Sequence, residues 1–219
     1  MLDRRAFLAT AAAVALAPAA RAATAEDAKL IAVFDRIFED SLTHSPEAIT
    51  RLGLDKGELA WAKSKLDSAS IQSLAAEKAR TLEHLAALKT VDRAKLSPFQ
   101  QANYDAVAFT LEGDAAAGRR YGYGYEGAGQ PYVLSQLTGA YQDIPDFLGS
   151  QHRLEDRADA DAYLARLAAF ATVMDEEAAR VRRDVGLGVT PPDFVLARTL
   201  EQMNALRASP AAASPLVTQ

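Results

Sequence analysis

DADAYLARLAAFATVMDEEAARVRRDV, Asp159 to Val185, reads as one long helix. Ala160, Leu164, Leu167, Ala171, Met174, Ala178, Val181 and Val185 recur at alternating steps of four and three. That recurrence predicts a heptad-like seam of small and apolar side chains, suited to close antiparallel packing. Asp159 and Asp161 lie at the positive end of the helix dipole, and Arg180, Arg182 and Arg183 near the negative end. On this reading Glu176 and Glu177 are surface charge, and Asp156, Asp159 and Asp161 form a solvated helix start. Gly186 and Gly188 end the helix. Thr190-Pro191-Pro192-Asp193 opens another, with Phe194, Leu196, Leu200 and Met203 inward, fading near Ala208.

Upstream, the pattern breaks at residues 118–131. Gly118, Gly122, Gly124, Gly127, Gly129 and Pro131 alternate with Tyr121, Tyr123 and Tyr125. At roughly 1 kcal/mol per glycine no helix survives there, so a loop or short hairpin is expected. Residues 132–141 give no single period, and Ile144 before Pro145 is expected to be extended. Pro145 to Gln151 then reads as one or two helical turns. Ser97-Pro98 opens a helix with Gln100 placed for a capping box and Tyr104, Val107 and Leu111 inward, running to about Ala116. Ser68 to Lys89 is helical, with Ile71, Leu74, Ala75, Lys78, Leu82 and Leu85 on one side. Residues 54–67, with Trp61, suit a short helix or ordered loop. Ser45-Pro46 starts a helix ending at Gly53, and Ala25 to Leu42 is the first, with Leu30, Ile31, Phe34, Ile37 and Phe38 on one face. The fold class is all-α: a multi-helix bundle with one Gly/Tyr-rich loop or short hairpin.

The N-terminus reads as an export signal. Arg4-Arg5 followed by Ala6-Phe7-Leu8, an apolar run from Ala9 to Ala17, and Ala20-Arg21-Ala22 match a twin-arginine leader with cleavage after Ala22. The run is far short of the ~20 residues that span a bilayer. The expected organisation is a leader over 1–22, a helical domain over 23–208, and a linker with the truncated start of a further helix over 209–219. The last rests on Ser214-Pro215, which repeats the opening of Ser45 and Ser97. The expected location is periplasmic or otherwise exported, with the twin-arginine machinery as the precursor's partner and no membrane anchor after cleavage. Losing Arg4, Arg5, Arg21 and Asp3 takes the net charge from −5 to −7. An acidic surface repels phosphate backbones, so no nucleic-acid partner is expected. The chain has no cysteine, which excludes thiol catalysis.

No catalytic residues emerge. His44, His84 and His152 have no zinc-ligand spacing, and Leu88 stands where a partner of His84 would be needed. There is no Gly-x-Ser-x-Gly elbow and no phosphate-binding glycine loop. No buried strand precedes Gly122-x-Gly124, as a dinucleotide site requires. The acidic run from Glu155 to Asp161 lacks the central glycine of a calcium loop. What remains is the set Tyr121, Tyr123, Tyr125 and Tyr132, rings and hydroxyls that could grip a peptide or glycan or pack back on the helices.

The stretch from Pro131 to His152, PYVLSQLTGAYQDIPDFLGSQH, resembles a bacterial exported family known as domain of unknown function 885. The likeness continues through Ala158–Leu167 and Gly186–Phe194, and includes Ser45-Pro46-Glu47 and Arg51-Leu52-Gly53. The resemblance implies the N-terminal portion of a large helical protein similar to zinc metallopeptidases, with the zinc motif downstream and no metal ligand here. It also implies that Ser135, Gln136 and Tyr141 contribute to a substrate cleft in full-length relatives. Zinc is thus expected for those relatives and no cofactor for this chain, with a peptide as the substrate. The rival expectation is a non-catalytic periplasmic peptide- or glycan-binding scaffold.

Overall fold

The computed structural model describes residues 24–124, 130–214 and 216–217. The leader, 1–22, and Tyr125 lie outside them. Most of the described residues are helical and none forms a strand, with an isolated bridge between Ser135 and Thr138. The α-helices are α1 (Ala25–His44), α2 (Pro46–Arg51), α3 (Ile71–Leu88), α4 (Pro98–Arg120), α5 (Ala140–Ser150), α6 (Arg157–Gly186) and α7 (Asp193–Ala208). A 3-10 helix, Gly57–Ser64, fills the segment around Trp61.

The helix starts follow from their caps. Thr24 and Asp27 form a reciprocal capping box at α1, in which each backbone N–H is taken by the other's side chain. Ser45, Ser70 and Asp156 cap α2, α3 and α6 in the simpler way. The box expected at Ser97 is absent: no side-chain bond caps α4. Instead the Ser97 N–H donates to Asp27 Oδ1 at 2.8 Å, so one buried carboxylate ties the starts of α1 and α4 together.

Three apolar clusters hold the chain. Leu30, Val33, Leu88, Val91 and Leu96 join α1, α3 and the approach to α4. Ala140, Ile144, Phe147, Leu148, Tyr163 and Val173 join α5 to α6. Leu42, Ile49 and Ala62 join α1, α2 and the 3-10 helix. Thus α3 lies along α4, α5 lies along α6, and the α2 region bridges the two halves.

Two readings from sequence are corrected. Ile144 is helical despite Pro145, because α5 begins at Ala140 and carries the proline inside it. Burial of Ile144, Phe147 and Leu148 outweighs one missing hydrogen bond and the proline's local clash. The larger correction concerns α6. The buried residues are Asp159, Tyr163, Arg166, Val173, Glu177, Arg180 and Asp184. The period is as expected and the phase is off by one residue, about 100° around the helix. Leu164 is 62% exposed and Val185 50%. The same slip occurs in α7, where Val195 and Thr199 are buried and Phe194, Leu196 and Leu200 exposed.

A charged face can be inward only if its polar atoms are paired, and here they are. Arg166 is fully buried. Its Nε donates to the Lys65 carbonyl at 2.8 Å, and Nη2 to Thr50 Oγ1 at 2.6 Å and the Ala62 carbonyl at 3.0 Å. Nη1 lies 2.9 Å from His152 Nδ1, and the guanidinium stacks 4.7 Å from the centre of the Phe147 ring. Burial pulls the Arg166 pKa down to about 10, which leaves it charged at neutral pH. Asp159, expected to be solvated, pairs with Lys63 and accepts from the Glu155 N–H.

Candidate functional site

The two helical halves do not close on each other. Between α3 and α5 runs a cleft of about 610 Å³, in the size range of small-molecule and peptide sites. One wall is α3, with Ser73, Glu77, Arg80 and His84. The facing wall is α5, with Asp143, Asp146 and Ser150. Val173, Glu177 and Arg180 of α6 form the floor, and Ser45, Glu47, Arg51 and Asp67 close one end.

The floor carries the most perturbed acid. Glu177 is 1% exposed, and burial pushes its pKa up to about 7. The Ala140 N–H, 3.0 Å from each carboxylate oxygen, and the nearby Arg180 pull it back down without cancelling the shift. Glu177 thereby serves as the side-chain acceptor at the start of α5, where Gly139 offers none. Next to it, Glu176 accepts from the Ala69 N–H at 2.7 Å and from the Ser68 hydroxyl, fastening the lead-in to α3. The reading of Glu176 and Glu177 as surface charge is therefore overturned: Glu177 closes an orphaned backbone donor of α5, and Glu176 ties down the segment before α3.

Arg180 and Asp184 reach the Tyr/Gly segment. The Gly124 N–H donates to Asp184 Oδ2 at 2.9 Å, and the Gly124 carbonyl accepts from Arg180 Nη2 at 2.7 Å. Gly124 has φ +81°, and a Cβ there would sit 2.5 Å from the Gln130 carbonyl oxygen. Gly124→Ala is expected to lower stability by about 1–3 kcal/mol. Urea denaturation reads this directly, and a change below about 0.5 kcal/mol would contradict the pinning.

The residues singled out from sequence go to three places. Tyr121 and Tyr123 stack edge to face at 5.8 Å, and the Tyr121 carbonyl accepts from Lys78 Nζ at 2.9 Å. Tyr132 lines an apolar groove with Val181, Val185, Leu200 and Met203. Ser135 and Tyr141 are buried in a polar knot, where the Tyr141 hydroxyl lies 2.8 Å from both the Ser135 carbonyl and Gln202 Oε1. Gln136 neighbours that knot, with its Oε1 buried and, among the described residues, without a hydrogen-bond partner. None of these residues lines the α3–α5 cleft, although Ala140, next to Tyr141, does. The cleft residues that sequence reasoning passed over are Glu177, Arg180, Arg80 and Asp143. For Glu177 and Arg180 a signal existed: they share a 4-3 spacing with Tyr163, Arg166 and Val173.

The described side chains do not fit a zinc ion. Among the described residues no three His, Asp or Glu side chains are gathered as a ligand set. His152 points one ring nitrogen at the Arg166 guanidinium and the other at the Asp159 carbonyl. His84 Nε2 lies 2.9 Å from Asp40 Oδ2, and His44 Nδ1 2.8 Å from the Asp40 carbonyl. Nor is any helix among the described residues long and apolar enough to cross a membrane.

Comparison with known proteins adds the family. A model of a bacterial protein family of unknown function, DUF885, matches residues 46–219. The crystal structure of a protein from Colwellia psychrerythraea, described as a candidate lipoprotein, superposes with a TM-score of 0.75 at 15% identity. The match covers 88% of this chain and 34% of that one, so this chain spans about a third of its neighbour's length. At that identity the likeness shows the helical fold alone. No curated protein is significantly similar to the chain.

Proposed function

This chain belongs to the DUF885 family, and on that premise we propose that it is the N-terminal helical portion of an exported hydrolase resembling zinc-dependent peptidases. Its own contribution is to hold a peptide in the cleft between α3 and α5. One observation carries this: a large polar cleft is floored by a buried carboxylate and a buried arginine, Glu177 and Arg180. Desolvated charges in a concave site are where binding and proton handling concentrate. A peptide backbone offers both hydrogen-bond donors and acceptors, and the cleft supplies hydroxyls, carboxylates and guanidinium groups to meet them.

The zinc that the resemblance implies is assigned to ligands outside this sequence, since the described residues do not fit it. The twin-arginine leader assigns the protein to the exported fraction. The tyrosines and the Ser135–Tyr141 knot act, in this proposal, by supporting the cleft from behind.

The test is to incubate the purified protein with a library of unmodified tripeptides, following binding by calorimetry and cleavage by mass spectrometry. Binding is expected. Cleavage would place catalysis within this chain, and binding without cleavage would favour the non-catalytic peptide-binding scaffold for the chain alone. If no peptide binds, the cleft reading is wrong.

A further inference from the structure

Sorting the charged groups of the cleft by their partners separates those already committed. Glu47 Oε2 accepts from Arg51 Nη2 at 3.0 Å. Asp67 accepts from the Ser45 hydroxyl at 2.6 Å and the Glu47 N–H at 3.0 Å. His44 and His84 both engage Asp40. Glu177 is taken by Ala140, and Arg180 by the Gly124 carbonyl. Asp143 faces the Gly139 N–H at the start of its own helix.

Of the charged side chains that line this cleft alone, two of opposite sign remain, on opposite walls. Arg80 on α3 is half-buried and, among the described residues, makes no hydrogen bond or ion pair. Asp146 on α5, one turn beyond Asp143, likewise has no side-chain partner among them. Glu77 also stands on α3, but it is shared with the separate groove between α3 and α4. A half-buried arginine on the cleft wall leaves the five donors of its guanidinium unused. Its fork fits a carboxylate in a bidentate way, and an ammonium with three donors suits a carboxylate.

We propose that the cleft takes a short peptide with free ends, its α-carboxylate on Arg80 and its α-ammonium at Asp146. The inference rests on the cleft reading above and adds polarity to it. A ligand with opposite charges at its two ends matches a cleft whose uncommitted charges stand on opposite walls. An interior segment of a long chain, with neither terminus, leaves both unpaired.

Calorimetry with trialanine, its C-terminal amide and its N-acetyl derivative tests this on the intact protein. Wild type should bind trialanine at least tenfold more tightly than either blocked form. Arg80→Met should weaken trialanine to the level of the amide and leave the amide's affinity unchanged. Asp146→Asn should do the same with respect to the N-acetyl form. Arg80→Lys, which keeps the charge without the fork, should recover part of the loss. Because Arg80 makes no internal contact of this kind, the thermal transition of Arg80→Met should match wild type. Equal binding of free and amidated trialanine overturns the inference while the cleft reading stands, and so does an Arg80→Met variant that weakens both equally. If trialanine and both derivatives fail to bind wild type, the cleft reading and this inference fall together.

Discussion

Arg166→Met is expected to lower the stability by about 4 kcal/mol, the largest effect of any single replacement considered for this fold. Methionine fills similar space beside Phe147 but donates nothing. The carbonyls of Lys65 and Ala62, the hydroxyl of Thr50 and Nδ1 of His152 would all lose a donor. Each stranded buried acceptor costs about 1–3 kcal/mol, and local relaxation recovers part of the sum. In a chain of this size the loss lowers the melting temperature on the order of 10 °C. Arg166→Lys should recover little, because a point charge cannot reach four acceptors spread around a planar fork. Calorimetric melting at neutral pH checks this. A shift under about 3 °C would mean that Arg166 does not fasten α6 to the α2 region.

Glu177→Gln is expected to raise stability above pH 7 and to leave it unchanged near pH 4.5. The sign follows from the raised pKa, about 7 when folded against an ordinary value of 4.5. Between those values the folded chain keeps a proton that the unfolded chain has released. Stability of the wild type therefore falls as pH rises through this window, by at most about 3 kcal/mol, and is level above it. Glutamine keeps an acceptor for the Ala140 N–H and has no charge to bury. The variant should be about 1–3 kcal/mol more stable than wild type at pH 8. Urea denaturation from pH 4.5 to 8 checks it, and parallel curves for the two proteins would refute the buried-carboxylate account.

Much of the fold was legible because helix boundaries are written in local chemistry. Ser45-Pro46, Ser97-Pro98, the glycines after Val185 and the Pro191-Pro192 pair all sit where helices begin or end. The 3.6-residue period was legible too, but its phase was not. In α6 the apolar set and the charged set run side by side at the same spacing, and hydrophobicity alone favours Leu164 over Tyr163 and Val181 over Arg180. The deciding information is non-local: Lys65, Thr50 and Ala62 supply acceptors to Arg166 from about 100 residues away in sequence. Glu177 was passed over for the same reason, since Ala140 completes its environment. The tyrosines drew attention as a cluster in sequence, yet Tyr121 and Tyr123 pair with each other while Tyr132 turns to a different groove. Composition marks a segment as unusual and does not say which cavity it faces.

The central claim is that the peptide site lies between α3 and α5 and not at the tyrosines. Nitrogen-15 NMR spectra recorded as trialanine is added test it most directly. The account predicts that the largest shifts fall on the backbone amides of Ala69, Ser70, Ser73, Ala140 and Asp143, around the floor and the two walls. Shifts concentrated at Tyr121, Tyr123, Tyr132 and Ser135, with Ala140 and Ser73 unmoved, would contradict it.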